Sequence, residues 1–119
     1  MGNKLSISII TPTFNRADEL DFLLRSISKQ TYPLKNIEFI VSDDGSHDNT
    51  KKVVNKWQKK SLFDLIYIRQ ENKGPGAARN HGLENCRGDI ILFIDSDCEA
   101  HPKSVSYTHL RAHETTDNL

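Results

Sequence analysis

The stretch IEFIVSDDGS, residues 37–46, decides the fold class of this 119-residue chain. Its first six residues, 37–42, are mostly β-branched or aromatic, which is typical of a buried strand. Two aspartates, a glycine and a serine follow, and this combination favours a tight turn that leads into a helix. A buried strand that ends in a polar turn before a helix is the repeating unit of α/β proteins.

Further apolar runs on both sides of this stretch predict three more strands, at residues 6–10, 65–69 and 90–94. The proline at position 12 withdraws a backbone donor, so we expect the first strand to end before it. The last run, IILFI, is almost entirely apolar, as in a central strand that is covered on both faces.

Helical segments separate these strands. Apolar residues at helical spacing predict an amphipathic helix over residues 17–30 and a second helix that begins after Ser46 or Asp48, either of which can cap it. Residues 74–76, Gly-Pro-Gly, open a third helix. The alternation predicts an α/β fold with a mainly parallel sheet, in which ligands bind at the carboxyl ends of the strands.

Composition excludes several classes of function. Sixteen acidic and sixteen basic residues balance, so no overall field favours nucleic acid or an anionic membrane surface, and any anion site must be local. No run approaches the length of a membrane span, and the first five residues lack the pattern of a signal peptide. We therefore expect at most one domain, with no transmembrane segment and a cytoplasmic location.

Acidic pairs follow two of the predicted strands. Asp95 and Asp97 come after the last strand, where two nearby like charges favour a divalent cation such as Mn²⁺ or Mg²⁺. The alternative, a solvated turn in which one aspartate caps the next helix, is the commoner explanation of an isolated Asp-x-Asp. Asp43 and Asp44 together exceed what a capping turn requires, which makes Asp44 a candidate to accept hydrogen bonds from a base or ribose.

Two further segments fall at the same predicted edge. Phe14 follows the first strand, and its ring either stacks on a nucleobase or packs in the core. Residues 74–82, GPGAARNHG, place Arg79 one turn inside a helix start whose free N–H groups favour anions such as a diphosphate. The small residues also suit close packing of helix on sheet, but packing alone does not require a guanidinium group.

Four segments in this order, SIITPTFNR, VSDDGSHDNT, NKGPGAARNHG and IILFIDSD, resemble the successive motifs of the family 2 inverting glycosyltransferases. The resemblance covers about residues 6–102. It implies a Rossmann-like GT-A fold of the nucleotide-diphospho-sugar transferases, of which residues 1–104 form the N-terminal part and the sheet is incomplete. The apolar strand at residues 90–94 would then leave an unpaired edge.

The resemblance also implies roles for individual residues. Phe14 and Asp44 would contact the nucleoside base, Arg79 would hold the nucleotide or its diphosphate, and Asp97 would be the principal metal ligand beside Asp95. The implied ligand of this metal site is Mn²⁺ or Mg²⁺. The residues assigned to nucleotide-sugar binding are Pro12, Phe14, Asp44, Arg79 and Asp95.

The implied function is transfer of a sugar from a nucleotide-sugar donor, with a UDP-sugar as first candidate, to a glycan, lipid or other acceptor. The longer protein would act in the cytoplasm or at the inner face of the membrane. The family takes its general base from an acidic residue well downstream of Asp-x-Asp, and no segment here matches it, so we expect the chain alone to transfer no sugar.

Two alternatives stay open at this point. A non-catalytic nucleotide-binding or interaction module could keep the fold without the reaction. A sugar nucleotidyltransferase is less favoured, because residues 12–16 lack the glycine-rich loop of that class. Residues 105–119 show no sustained periodicity, which predicts either a non-native, disordered tail or an ordinary frayed terminus.

Overall fold

In the computed structural model, which describes residues 5–96, strands and helices alternate along the chain. The strands are β1 (Ile7–Thr13), β2 (Ile37–Asp43), β3 (Asp64–Arg69) and β4 (Ile90–Phe93). The helices are α1 (Ala17–Ser28), α2 (Thr50–Gln58) and α3 (Pro75–Glu84), with a short 3-10 helix at Leu34–Asn36. All strand pairs are parallel, and the order is β3-β2-β1-β4. The predicted α/β fold with a parallel sheet is confirmed.

The helices cover both faces of the sheet, because side chains along a strand alternate between its two faces. Ile7 and Ile9 of β1 join the main core with the apolar residues of α1 and α2. Ile10 points to the other face, where α3 lies so close that a Cβ on Gly82 would be 2.4 Å from its Cγ2 atom. Ala78 and Gly82 of α3 are both buried, so the small residues do allow the predicted close packing of helix on sheet.

The prediction that β1 ends before Pro12 is wrong, since the strand continues through Pro12 to Thr13. The N–H group of Asp44 donates to the Thr13 carbonyl on the β2 side, and the N–H of Ile94 donates to the Ile10 carbonyl on the β4 side. Pro12 lies two residues after Ile10, so its backbone nitrogen points to the same side of β1, toward β4. β4 pairs with β1 only as far as Ile10. The missing donor of Pro12 therefore falls just beyond the β4 ladder, where it interrupts no paired strand.

The expectation that the strand at residues 90–94 is central and covered on both faces is also wrong for the described residues. Within residues 5–96, β4 pairs with β1 and with no other strand. Ile90 is buried, but Phe93 is 45% exposed. This arrangement agrees with the other expectation, that an incomplete sheet leaves an unpaired apolar edge here.

Within the part of the chain that the structure describes, none of the helices combines the length and the apolar character that crossing a membrane requires. The segment predicted to be a tail, residues 105–119, lies outside the described residues, so its nature stays a prediction.

Candidate functional site

A cleft of about 460 Å³ opens at the carboxyl ends of the strands. All five residues that the sequence assigned to nucleotide-sugar binding lie on its wall. The residues that line it are Pro12, Thr13, Phe14, Arg16, Asp44, Asn72, Gly74, Pro75, Ala78, Arg79, Asp95 and Ser96.

The strand order explains why the cleft forms at this place. From β1 the chain moves outward to β2 and β3, and it then returns to place β4 on the opposite side of β1. The helices that lead from β1 to β2 and β3 cover one face of the sheet, whereas α3, which leads to β4, covers the other, and a crevice remains beside the end of β1. Open α/β sheets bind their ligands at such a switch point, outside the carboxyl ends of the strands.

Asp44, just beyond β2, organises the floor of the cleft. Its carboxylate accepts hydrogen bonds from Gln70 Nε2 at 2.8 Å, from the Lys73 N–H at 2.7 Å and from the Gly74 N–H at 3.0 Å. Burial acts to raise the pKa of this carboxyl, but the three hydrogen bonds outweigh it and hold the pKa below its usual value. The sequence singled out Asp44 for a ligand, whereas the structure shows that it also holds the loop between β3 and α3.

Asp43, the residue before Asp44, stabilises the turn after β2 and the neighbouring strand β3. Its buried carboxylate accepts the Ser46 N–H at 2.9 Å and the Tyr67 hydroxyl at 2.6 Å. Burial, followed by the hydrogen bond to Asp43, raises the pKa of Tyr67 far above its ordinary value, so the phenol stays a donor. The two adjacent aspartates thus have different roles, since Asp43 bonds the sheet and its turn while Asp44 lines the cleft.

Two loops that border the cleft are tied together by side chains. Asn15 adopts a left-handed backbone with φ of 52°, which asparagine tolerates, and its N–H donates to Ser46 Oγ at 2.8 Å. Its side-chain oxygen accepts the His47 N–H at 2.8 Å. These contacts fix the backbone on either side of Asn15, including Phe14.

Asp48 bonds the starts of two helices at once. Its carboxylate accepts the N–H of Ala17 at the start of α1 and the N–H of Thr50 at the start of α2. Burial acts to raise its pKa, but these bonds and the Thr50 hydroxyl lower it below the usual value. The N-cap residue of α2 is Asn49, so neither of the two proposed residues is the N-cap itself. Asp48, one residue earlier, supplies the bond to the first helical N–H, while the Ser46 hydroxyl contacts Asn15 instead.

The start of α3 supplies the positive end of the cleft. Gly74 precedes the helix with φ of 99°, a conformation that favours glycine, and Pro75 occupies the first helical position. The unpaired N–H groups of such a helix start favour an anion. Arg79 lies one turn further, on the cleft wall, and forms no ion pair with any other residue of the range 5–96.

Phe14 lies at the mouth of the cleft and is 39% exposed. The alternative that its ring packs in the core is therefore wrong. A half-exposed aromatic ring at a cleft wall offers a flat apolar surface for a nucleobase.

Asp95 reaches the cleft from the end of β4, where it is exposed, next to buried Ser96. Asp97, the predicted principal metal ligand, lies outside the described residues. Among residues 5–96 no group of three or more His, Cys, Asp or Glu side chains is placed to hold a metal ion. The described part of the cleft offers one exposed carboxylate, Asp95, as a hard oxygen donor for Mn²⁺ or Mg²⁺.

Four polar residues of the cleft wall have no role in the sequence prediction, namely Thr13, Arg16, Asn72 and Ser96. Thr13 is buried, and its Oγ1 atom has no hydrogen-bond partner among residues 5–96. Arg16 is half-exposed and pairs weakly with Glu19 at 3.4 Å. Each lies just after or at the end of a strand, so a closer use of the strand-end rule could have found all four.

Comparison with known proteins identifies this arrangement. The family model described as glycosyl transferase family 2 matches residues 8–118. The GalNAc(5)-diNAcBac-PP-undecaprenol beta-1,3-glucosyltransferase of Campylobacter jejuni is 38% identical over 109 residues, which are 91% of this chain and 35% of that protein.

Solved structures show the same fold. Staphylococcus aureus TarS 1-349 in complex with UDP-GlcNAc superposes with a TM-score of 0.83 at 32% identity, over 92% of this chain and 32% of that one. The mannosyltransferase PcManGT of Pyrobaculum calidifontis, in complex with GDP-Man and Mn²⁺, gives a TM-score of 0.81 at 26% identity, over 91% and 32%. The chain thus spans about a third of the length of these relatives.

Proposed function

The chain belongs to glycosyl transferase family 2, and from this membership we propose that it forms the donor-binding part of a glycosyltransferase. The whole enzyme would transfer a sugar from a nucleotide sugar to a glycan or lipid acceptor. One observation carries the proposal: the five residues assigned to nucleotide-sugar binding, from four separate segments of sequence, line one cleft at the switch point of the sheet.

The hydrogen bonds of Asp44 support a uracil base. Each carboxylate oxygen has about two acceptor positions. Among the described residues, Oδ1 accepts from Gln70 and Lys73 and Oδ2 accepts from Gly74, which leaves one position on Oδ2. Uracil presents a single N–H on its pairing edge, whereas guanine presents adjacent N–H and NH₂ donors that need two acceptors. A UDP-sugar therefore fits Asp44 better than a GDP-sugar, with the base stacked on Phe14.

The diphosphate would lie against the start of α3. Its negative charge complements the free N–H groups after Gly74 and the Arg79 guanidinium one turn inside the helix. The planar guanidinium group of Arg79 can hold two phosphate oxygens through parallel N–H donors, a geometry that a lysine ammonium group does not offer. Asp44 bonds the backbone of Lys73 and Gly74, which leads into α3. The same carboxylate would therefore bind the base and hold in place the helix start that binds the diphosphate.

A divalent cation fits the remaining wall in charge and donor type. Asp95 would hold it from the protein side, and Asp97 is proposed as the second ligand from the sequence. A bound Mn²⁺ or Mg²⁺ would stabilise the charge of the departing nucleoside diphosphate. The solved relative that contains GDP-Man and Mn²⁺ supports this choice of cofactor.

The acceptor and the general base belong to the proposal for the whole enzyme. A lipid-linked glycan is a reasonable acceptor, because the similar Campylobacter jejuni protein is named for an undecaprenol-linked one. We keep the cytoplasmic location as part of this proposal. Positioning of the acceptor and removal of its proton contribute separately to the rate of transfer, so both have to be tested on the whole enzyme.

Nucleotide competition tests the proposed donor class. The 119-residue chain is titrated with UDP, GDP, CDP and ADP in the presence of Mn²⁺, and binding is followed by calorimetry. We expect UDP to bind at least tenfold more tightly than GDP. Equal affinities for all four nucleotides would contradict base recognition by Asp44. Absence of all nucleotide binding in a folded chain would favour the interaction module over the enzyme.

A further inference from the structure

Helix α2 and the turn after it carry a cluster of positive charge that the donor cleft does not use. Residues 51–60, KKVVNKWQKK, contain five lysines and no acidic residue, although the whole chain has no net charge. A neutral chain that concentrates basic residues on one helix has a strong local field there.

The burial pattern of α2 sorts these lysines by position. Thr50, Val54 and Trp57 are buried, so this side of the helix packs on the core. Lys51, Lys52 and Lys59 are exposed and form no ion pair with any other residue of the described range. We call these three residues the lysine face.

The other two lysines of residues 51–60, Lys56 and Lys60, already have partners. Lys56 Nζ bonds Asp21 Oδ1 of α1 at 2.7 Å, and the same oxygen accepts the Trp57 indole N–H at 2.7 Å. Lys60 Nζ lies 4.2 Å from the centre of the Trp57 ring. The carboxylate of Asp21 is thus bonded to Lys56 and Trp57, and it does not neutralise the charge of the lysine face.

Apolar side chains accompany this charge. Leu62, in the turn directly after α2, is 77% exposed, and Phe22 on the adjoining helix α1 is 51% exposed. Both helices pack on the same core, so their solvent-facing sides belong to one layer of the molecule. Acidic residues on this layer, Asp18 and Glu19, lie in the first turn of α1.

We propose that the solvent side of α1 and α2 is a docking surface for an anionic lipid membrane, with the lysine face against the headgroups and Leu62 inserted below them. Exposed lysines beside exposed large apolar groups are typical of surfaces that lie on membranes. Nucleic acid would use the charge but would leave Leu62 and Phe22 in water.

The surface is separate from the donor cleft. None of its residues lines the cleft, which is formed by the strand ends and by α3 on the opposite face of the sheet. Docking through α1 and α2 would therefore hold the protein at a lipid surface while the cleft stays open to a soluble nucleotide sugar. This inference does not depend on which sugar the cleft binds.

Vesicle sedimentation of the full 119-residue chain tests the proposal. Vesicles of phosphatidylcholine alone are compared with vesicles containing about a third phosphatidylglycerol. We expect binding to the anionic vesicles only, weakened by added salt. The double variant Lys52→Gln/Lys59→Gln should bind about 30-fold more weakly, because each lysine near the surface contributes roughly a fivefold factor. The control Lys35→Gln/Lys73→Gln removes the same charge elsewhere and should lose less than threefold.

Leu62→Ser separates a membrane from a soluble polyanion. It should weaken vesicle binding about fivefold and leave binding to soluble polyphosphate unchanged. The proposal is overturned by equal binding to neutral and anionic vesicles, by equal losses in the two double variants, or by a Leu62→Ser variant that binds vesicles like the parent chain. Circular dichroism confirms that each variant is folded.

Discussion

Asp44→Asn is the most informative single substitution, because it changes one atom of a buried group that supports the cleft. The carboxylate accepts three hydrogen bonds, and two of them come from the backbone N–H groups of Lys73 and Gly74. An amide has only one acceptor oxygen. Whichever way it is turned, its NH₂ group faces at least one of these backbone donors, which is then left without a partner.

The cost follows from this loss. A hydrogen bond to a charged acceptor contributes about 1.5–3 kcal/mol, and a buried donor without a partner costs a similar amount. We expect Asp44→Asn to lower the free energy of unfolding by about 2 kcal/mol, which corresponds to a melting temperature lower by about 8 °C. UDP affinity should fall at least tenfold as well, because the amide lacks the negative charge that strengthens the bond to the base, and the loop that carries Gly74 loses a supporting hydrogen bond.

Asp43→Asn is the matched control, with the same chemical change at the neighbouring buried position. Its amide oxygen can still accept the Ser46 N–H, and its NH₂ group can donate to the Tyr67 oxygen, which also accepts. We expect a loss below about 1 kcal/mol. Urea unfolding followed by the fluorescence of Trp57 measures both variants. If Asp43→Asn costs as much as Asp44→Asn, the acceptor count at Asp44 does not explain its importance.

The same carboxyl sets an expected dependence on pH. The folded-state pKa of Asp44 lies below its usual value, so the ionised group stabilises the fold at pH above about 4. This contribution should be lost as the pH falls through the lower, folded-state pKa. Asp44→Asn should therefore show a shallower loss of stability in acid than the parent chain, and equally steep losses would argue against the assigned role.

Three further predictions concern packing and the cleft. Gly82→Ala should destabilise the fold by about 1–2 kcal/mol in urea unfolding, because its Cβ would overlap Ile10, whereas Gly76→Ala meets no atom within 4 Å and should cost nothing; equal effects would refute the close approach. Arg79→Gln should reduce UDP affinity about tenfold in calorimetry with an unchanged melting temperature, and unchanged affinity would remove it from the site. Phe14→Ala should weaken UDP but not inorganic diphosphate, and equal losses for both ligands would exclude stacking on the base.

Much of the fold follows from local sequence patterns. The alternation of apolar runs and amphipathic segments predicted all four strands and all three α-helices of residues 5–96, because burial on a sheet imposes those periods. The end of β1 was misjudged at Pro12. A proline breaks only the ladder that its nitrogen faces, and which neighbour lies on that side is decided by strand order.

Strand order also decided the position of β4. Its apolar composition indicated a central strand, yet within the described residues it lies at the edge. Apolar side chains show that a strand has neighbours in some state of the protein, but they do not show which segment supplies them. Pairing between distant strands is not encoded in local patterns.

The sequence predicted residues that line the cleft, but it did not predict the hydrogen bonds between them. Strand ends of a parallel sheet converge, so Pro12, Phe14, Asp44, Arg79 and Asp95 could be grouped from sequence alone. The bonds from Asp44 to Lys73 and Gly74 join residues about thirty positions apart through loop backbone. Such bonds depend on the conformation of the loop, and the types of residue in the loop do not determine that conformation.

UDP should bind in the cleft at the switch point of the sheet, and amide chemical shifts measure this binding most directly. Labelled chain is titrated with UDP in the presence of Mg²⁺, and the amide signals are followed by two-dimensional NMR. We predict the largest shifts at the cleft residues Thr13, Phe14, Asp44, Gly74 and Arg79, with none on α2. When Mg²⁺ is replaced by paramagnetic Mn²⁺, the amide signal of Asp95 should broaden before the others. Shifts that concentrate on α1 and α2, or a saturating UDP complex that leaves the amides of Asp44 and Gly74 unmoved, would contradict the account.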